Sequence, residues 1–262
     1  MKRLWMFALV LGVTLAVASP TFAQEPAEDW DLTVDPAQQL TLATLDFGDN
    51  ALALRCKAGT LDLLMTGTPV TDASTRVVQV TVGGLQGERQ GWLSQPGTPV
   101  LSASEPDRLA RLLKPGGELG LRIEPLAEGG RATRYLLPIP TSASSVDTVL
   151  SACHANLADE WDLRPRPVTP VTWAHQEFPE YPEAAAVRDI PLATVRIACI
   201  VPADGRLDDC RVLYEAPDGM GFGRSALAAA RDSRVGLPEG DTSSVGAVIV
   251  YSARFRSPEN QP

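Results

Sequence analysis

"IACIVPADGRLDDCRV", Ile197 to Val212, sets two of the chain's four cysteines on either side of an Asp-Gly pair. Asp and Gly tolerate the positive φ of tight hairpin turns, so Asp204-Gly205 reads as the reversal between two strands. A two-residue turn there, or a symmetric four-residue loop from Ala203 to Arg206, gives one antiparallel register. It places Cys199 opposite Cys210, Ile197 opposite Val212 and Val195 opposite Tyr214 on a single face. The other face carries Ile200 with Asp209, Ala198 with Arg211 and Arg196 with Leu213, a mixture suited to partial solvation. Whether the two thiols bond or face each other free depends on the compartment.

The N-terminus bears on that choice. Lys2 and Arg3 precede an apolar run, Leu4 to Ala18, and then Ser19-Pro20 and Thr21-Phe22-Ala23 give the small-residue pattern of a cleavage site. This is the layout of a secretory signal peptide over residues 1–23. The rival is an uncleaved anchor, for which the run is short against the ~20 apolar residues of a membrane span. An exported chain meets oxidising conditions, where cysteines pair. The hairpin register selects Cys199 with Cys210 and leaves Cys56 with Cys153. Zinc is the alternative, but there is no C-x2-C spacing, and His154 and His175 lie near no such motif. In the chain-entropy model, a loop of about a dozen residues is worth at most ~3 kcal/mol and one of nearly a hundred ~4–5 kcal/mol.

Of 262 residues, 44% are hydrophobic and 21% charged, ordinary for a globular chain. Loss of the leader removes Lys2 and Arg3 and moves the formal charge from -9 to -11. Such a chain repels phosphate backbones, so neither nucleic acid nor an anionic membrane surface is expected as a partner. Twenty-two prolines and 21 glycines imply many turns and short elements. "RPRPVTPVTW", Arg164 to Trp173, is expected to be extended and semi-rigid. It anchors a linker over 158–177 between a domain at 30–157 and another at 178–256, and each proposed disulfide stays on its own side.

The first of these reads as a meander. Strands are predicted at Leu40–Phe47, Ala51–Cys56, Thr60–Met65, Arg76–Val82, Leu119–Ile123 and Arg134–Ile139. Helices are predicted from Ser104 as N-cap to Leu113, and over 144–157 with Val146, Val149, Leu150, Cys153 and Leu157 on one face. The second domain reads helix, strand, strand, helix, strand. Its helices are Tyr181–Asp189, with Pro182 in the first turn, and Phe222–Val235; its last strand is Gly246–Phe255. In that strand Val248, Val250 and Ser252 share one side and Ala247, Ile249, Tyr251 and Ala253 the other. The fold class is α+β, a mostly-β domain followed by a small α/β module.

Catalysis is not expected. The chain has no G-x-S-x-G, H-E-x-x-H or S-x-x-K and only three lysines. "GMGFG" (Gly219–Gly223) reads as a helix-entry turn and not a phosphate loop, since no buried parallel strand leads into it. No cofactor or metal is called for.

"PEYPEAAA", "VRIACIVPADGRLDDCRVLYEAPDGMGFGRSALAAA" and the closing strand together resemble the C-terminal domain of TonB energy transducers, over Phe178 to Arg256. The resemblance implies a three-stranded antiparallel sheet with two helices on one face, in a Gram-negative periplasm. It implies that the last strand accepts an extended peptide from an outer-membrane or periplasmic protein by edge pairing. Carried over by position, the contacts are Ala247, Val248, Ile249, Val250, Tyr251, Ser252, Ala253 and Arg254, with Tyr181 and Pro182 beside them. Main-chain hydrogen bonds would then give affinity and alternate side chains selectivity. The expectation is an exported envelope protein that binds a peptide or protein partner. The alternative is an energy transducer for outer-membrane receptor transport, held in the inner membrane by an uncleaved leader.

Overall fold

The computed structural model describes residues 29–142, 144–167, 171–237, 242 and 244–257. The predicted leader at 1–23 lies outside them.

The alternation of "LTLATLD", "ALALRCK" and "TLDLLMT" buries every second residue, as a sheet with one covered face requires. These are β2 (Leu40–Asp46), β3 (Ala51–Lys57) and β4 (Thr60–Thr66), with β1 (Asp31–Asp35) ahead of them. The β2–β3 turn is closed by Asp46, whose carboxylate accepts the Gly48 N–H at 2.8 Å. After β4 come β5 (Thr75–Val82), β6 (Leu85–Ser94), β7 (Val100–Ser102), helix α1 (Pro106–Leu113), β8 (Gly117–Ile123), β9 (Thr133–Ile139) and helix α2 (Ser145–Ala152). All nine strands join one antiparallel sheet in the order β1-β2-β3-β4-β7-β6-β5-β8-β9. The two helices close one core against it, with Leu109, Leu113, Val146 and Leu150 meeting Leu54, Met65 and Trp92.

Two helix boundaries differ from expectation. The first helix starts at Pro106, whose fixed φ suits a first turn, and Ser104 is not its cap. The second ends at Ala152, because His154 turns left-handed (φ 53°). Leu157 is therefore exposed and not on the apolar face. Cys153 still reaches the sheet and bonds Cys56 across 97 residues, with S–S 2.04 Å.

The C-terminal part contains β10 (Thr172–His175), α3 (Glu183–Ala186), β11 (Leu192–Ile200), β12 (Asp208–Ala216), α4 (Phe222–Asp232), β13 (Arg234–Gly236) and β14 (Val248–Arg256). Strands β12, β11 and β14 form an antiparallel sheet in that order, and β10 pairs with β13. One sheet face meets both helices through Val195, Ile197, Ile249 and Phe255 against Ala185, Phe222 and Ala226. The helix expected to reach Val235 stops earlier, because Ser233 turns extended and its hydroxyl donates back to the Ala229 carbonyl at 2.8 Å.

The opening hairpin forms its disulfide, Cys199–Cys210 with Cα atoms 4.1 Å apart, and keeps the expected register only next to it. Ile197 faces Val212 and Ala198 faces Arg211, as read from the sequence. Outside those pairs the ladder slips twice: Ile200 meets Asp208, Arg196 meets Tyr214 and Val195 meets Glu215. The inner slip sits at Asp209, which takes φ 45°, a conformation Asp tolerates better than most residues. The outer slip moves the Tyr214 ring off the helix side, where its hydroxyl would need a buried partner. Glu215 takes the helix side instead, its carboxylate reaching Gly223 at the start of α4.

The turn differs as well. It runs Pro202-Ala203-Asp204-Gly205, closed by the Gly205 N–H on the Pro202 carbonyl at 3.0 Å. Gly205 (φ 74°) then accepts the Val235 N–H at 2.8 Å, and a Cβ there would come within 2.4 Å of the Val235 oxygen. The hairpin tip is thus docked on β13, with Val201 and Leu207 buried at its base.

Candidate functional site

β14 is an edge strand: β11 covers one side, and among the described residues no strand covers the other. Its pairing with β11 runs without a slip from Val248 to Arg256. The Val248 N–H points away from β11 and donates to the Pro165 carbonyl at 2.9 Å. Backbone groups alternate along a strand, so the N–H groups of Val250, Ser252 and Arg254 point the same way. Among the described residues, Pro165 alone makes a backbone hydrogen bond onto this outer edge.

The edge lines a cleft of about 670 Å³. Opposite it stands the outer face of the nine-stranded sheet, where Val77 and Leu93 are 36% and 60% exposed. Arg166 and Pro167 form one end, and Arg196 of β11 rises between this cleft and a smaller one of about 310 Å³ that reaches Tyr214.

The expected contact residues divide sharply. Ala247, Val248 and Ile249 are at most 3% exposed, Val248 against Trp161 and Ile249 in the helix-side core. Tyr251 and Ala253 also turn to the helix side, where the Tyr251 ring meets Trp173 edge-on at 5.1 Å. Burial pushes the Tyr251 hydroxyl up to about 12, so it stays neutral. Val250, Ser252 and Arg254 remain on the cleft side. Tyr181 is a packing residue here: its ring meets Phe222 edge-on and its hydroxyl donates to the Ile190 carbonyl. Pro182 caps α3 and packs near Gly221. Neither Tyr181 nor Pro182 lines the cleft.

The segment between the two cores packs as a strap. Trp161 is 2% exposed and sits on Ala198, Val248 and Leu213, the sheet face away from the helices. The Arg211 guanidinium lies 3.6 Å from the centre of its ring and donates to both Asp159 oxygens at 2.6 Å. On the other side Arg111 of α1 grips Asp162 at 2.8 Å, and Arg166 grips Glu105 at 2.7 Å. Arg108 donates to the Asp162 carbonyl and pairs with Glu88 at 2.5 Å. Burial opposes the charge on Asp159, but the Trp161 N–H, Arg211 and Arg111 outweigh it and hold the carboxyl below its ordinary range. Arg108, despite its own burial, does the same for Glu88.

Three features carry no functional expectation in the sequence: Arg196, the strap, and the outer wall from β6. Arg196 is a lone cation in an apolar strand, which is a usable signal. The histidines gather nothing: His154 is exposed, and exposed His175 lies 3.4 Å from Glu177. Among the described residues no group of three or more His, Cys, Asp or Glu could hold a metal. No described helix is long and apolar enough to cross a membrane. No family model matches the chain, and no curated protein matches its sequence.

Proposed function

We propose that this is an exported envelope protein whose C-terminal module, TonB-like in its sequence motifs, binds an extended peptide segment of a periplasmic or outer-membrane protein by strand addition to β14. The observation that carries the reading is the outer edge of β14 from Val250 to Arg254, whose N–H groups face a cleft wide enough for a chain. Added main-chain hydrogen bonds supply affinity, and side chains alternating between the two cleft walls supply selection. The two disulfides fit an oxidising compartment. The first domain acts in this reading as the far wall of the groove. Ala247 does not line the cleft, and Val248 and Ile249 line it with little exposed surface.

The test is proline at one outward N–H. Ser252→Pro removes a donor that β11 does not use, and an edge strand tolerates proline there. Peptides selected on the full mature chain from a random dodecamer display library should bind S252P at least about tenfold more weakly at unchanged melting temperature, the loss of one or more main-chain bonds. Equal binding to S252P would refute strand addition at this edge.

A further inference from the structure

Arg196 projects from β11 on the cleft face, opposite Ser252 of β14 and Tyr214 of β12. One guanidinium nitrogen, Nη2, is fully buried, and among the described residues it has no hydrogen-bond partner. Arg196 is half-buried, and a guanidinium nitrogen withdrawn from water without a partner is costly.

The acids within reach do not serve it. Asp62 and Glu105 line the larger cleft, and Asp107 and Asp159 the smaller. Each is held by another arginine: Asp62 by Arg55 at 2.6 Å, Glu105 by Arg166 at 2.7 Å, Asp107 by Arg111 at 3.3 Å and Asp159 by Arg211 at 2.6 Å. Arg254, further along the same strand face, likewise has no acid partner among the described residues. A chain of net charge -9 thus keeps two unmatched cations beside its open strand edge. Screening over ~8 Å makes this local field, and not the net charge, the one a docked segment meets.

We propose that the segment taken by the cleft is acidic, with one Asp or Glu carboxylate paired to the Arg196 guanidinium and a second, weaker attraction to Arg254. The proposal rests on strand addition at β14 and specifies its ligand. An extended chain along β14 presents alternate side chains to the cleft face, where Val250 and the exposed Val77 and Leu93 favour apolar neighbours to that carboxylate. A carboxylate here would gain a charge-assisted bond, planar and bidentate in the geometry that guanidinium offers.

The experiment selects a random dodecamer display library on the intact mature protein and on Arg196→Gln, with melting curves to show that both are folded. Wild type is expected to enrich peptides with an acid at one fixed spacing from apolar residues, and R196Q to lose that enrichment. A selected peptide should weaken at least about tenfold when its acid becomes Gln, and R196Q should show no such difference. Acid-free apolar peptides from wild type, or acid enrichment unchanged in R196Q, would overturn the proposal and leave strand addition standing, as S252P would show independently. No enrichment over background on wild type would overturn both.

Discussion

The two sheets differ in how their buried arginines are paired. Around the nine-stranded sheet two of the buried arginines are paired with acids, Arg108 with Glu88 and Arg111 with Asp162 and Asp107, while buried Arg76 donates to the Glu124 carbonyl. Among the described residues of the three-stranded sheet, Arg196 keeps a buried nitrogen unpartnered and β14 keeps most of one edge uncovered. The first pattern ties β6, α1 and the strap together through paired charges. The second leaves hydrogen-bonding capacity for something that arrives later. The disulfides follow the same division, one closing 97 residues and tying α2 to the sheet, the other closing 11 within a hairpin.

The largest expected effect comes from breaking the satisfied side. Arg108→Ala leaves Glu88 buried without its partner and should cost about 3–5 kcal/mol. Calorimetry should show the loss in the transition that contains the nine-stranded sheet. A loss under about 1 kcal/mol would mean that the pair is better solvated than its geometry indicates.

Next come the disulfides. Replacing both Cys56 and Cys153 by alanine should cost about 2–5 kcal/mol, and replacing both Cys199 and Cys210 less, because the short loop restricts the unfolded chain less. Equal losses would remove the distinction between a tie across a domain and a local clamp.

The smallest effect is on pH. Glu88 and Asp159 have their folded-state carboxyls lowered, so their stabilisation is complete above the ordinary carboxylate range. It is lost as pH falls through the lowered folded values. The melting temperature should be flat above about pH 5 and fall below about pH 4, and Glu88→Gln should reduce that acid slope. An unchanged slope would assign the acid sensitivity elsewhere.

Much of this architecture was legible where hydrophobic alternation is strict. The strands β2, β3, β4, β5, β8 and β9 fall within a residue or two of their predicted spans, because each buries every second side chain. β6 was not legible: "LQGERQGWLS" carries two glycines and adjacent Glu88 and Arg89, and what makes it a strand is neutralisation by Arg108 and Glu124, both distant in sequence. The packing of the strap was not legible for a related reason. Proline content suggested an extended spacer, and Trp161 and two acids just ahead of the prolines bind that segment to α1 and to the three-stranded sheet. The cysteine pairing survived two register slips because a disulfide needs only proximity of two residues, whereas the face of Tyr214 and Glu215 depended on a count that one bulge reverses. At the site, the alternation of β14 was readable, but the burial of Ala247, Val248 and Ile249 depends on Trp161 and on α4, and the unmatched state of Arg196 depends on four acids being engaged elsewhere.

Residue-resolved amide exchange along β14 tests the central claim most directly. Without a peptide, Val250, Ser252 and Arg254 should exchange faster than Ile249, Tyr251 and Ala253, whose N–H groups face β11. Addition of a selected peptide should slow the first set and leave the second unchanged. Uniform protection before addition, or no change in Val250, Ser252 and Arg254 after it, would contradict an open acceptor edge.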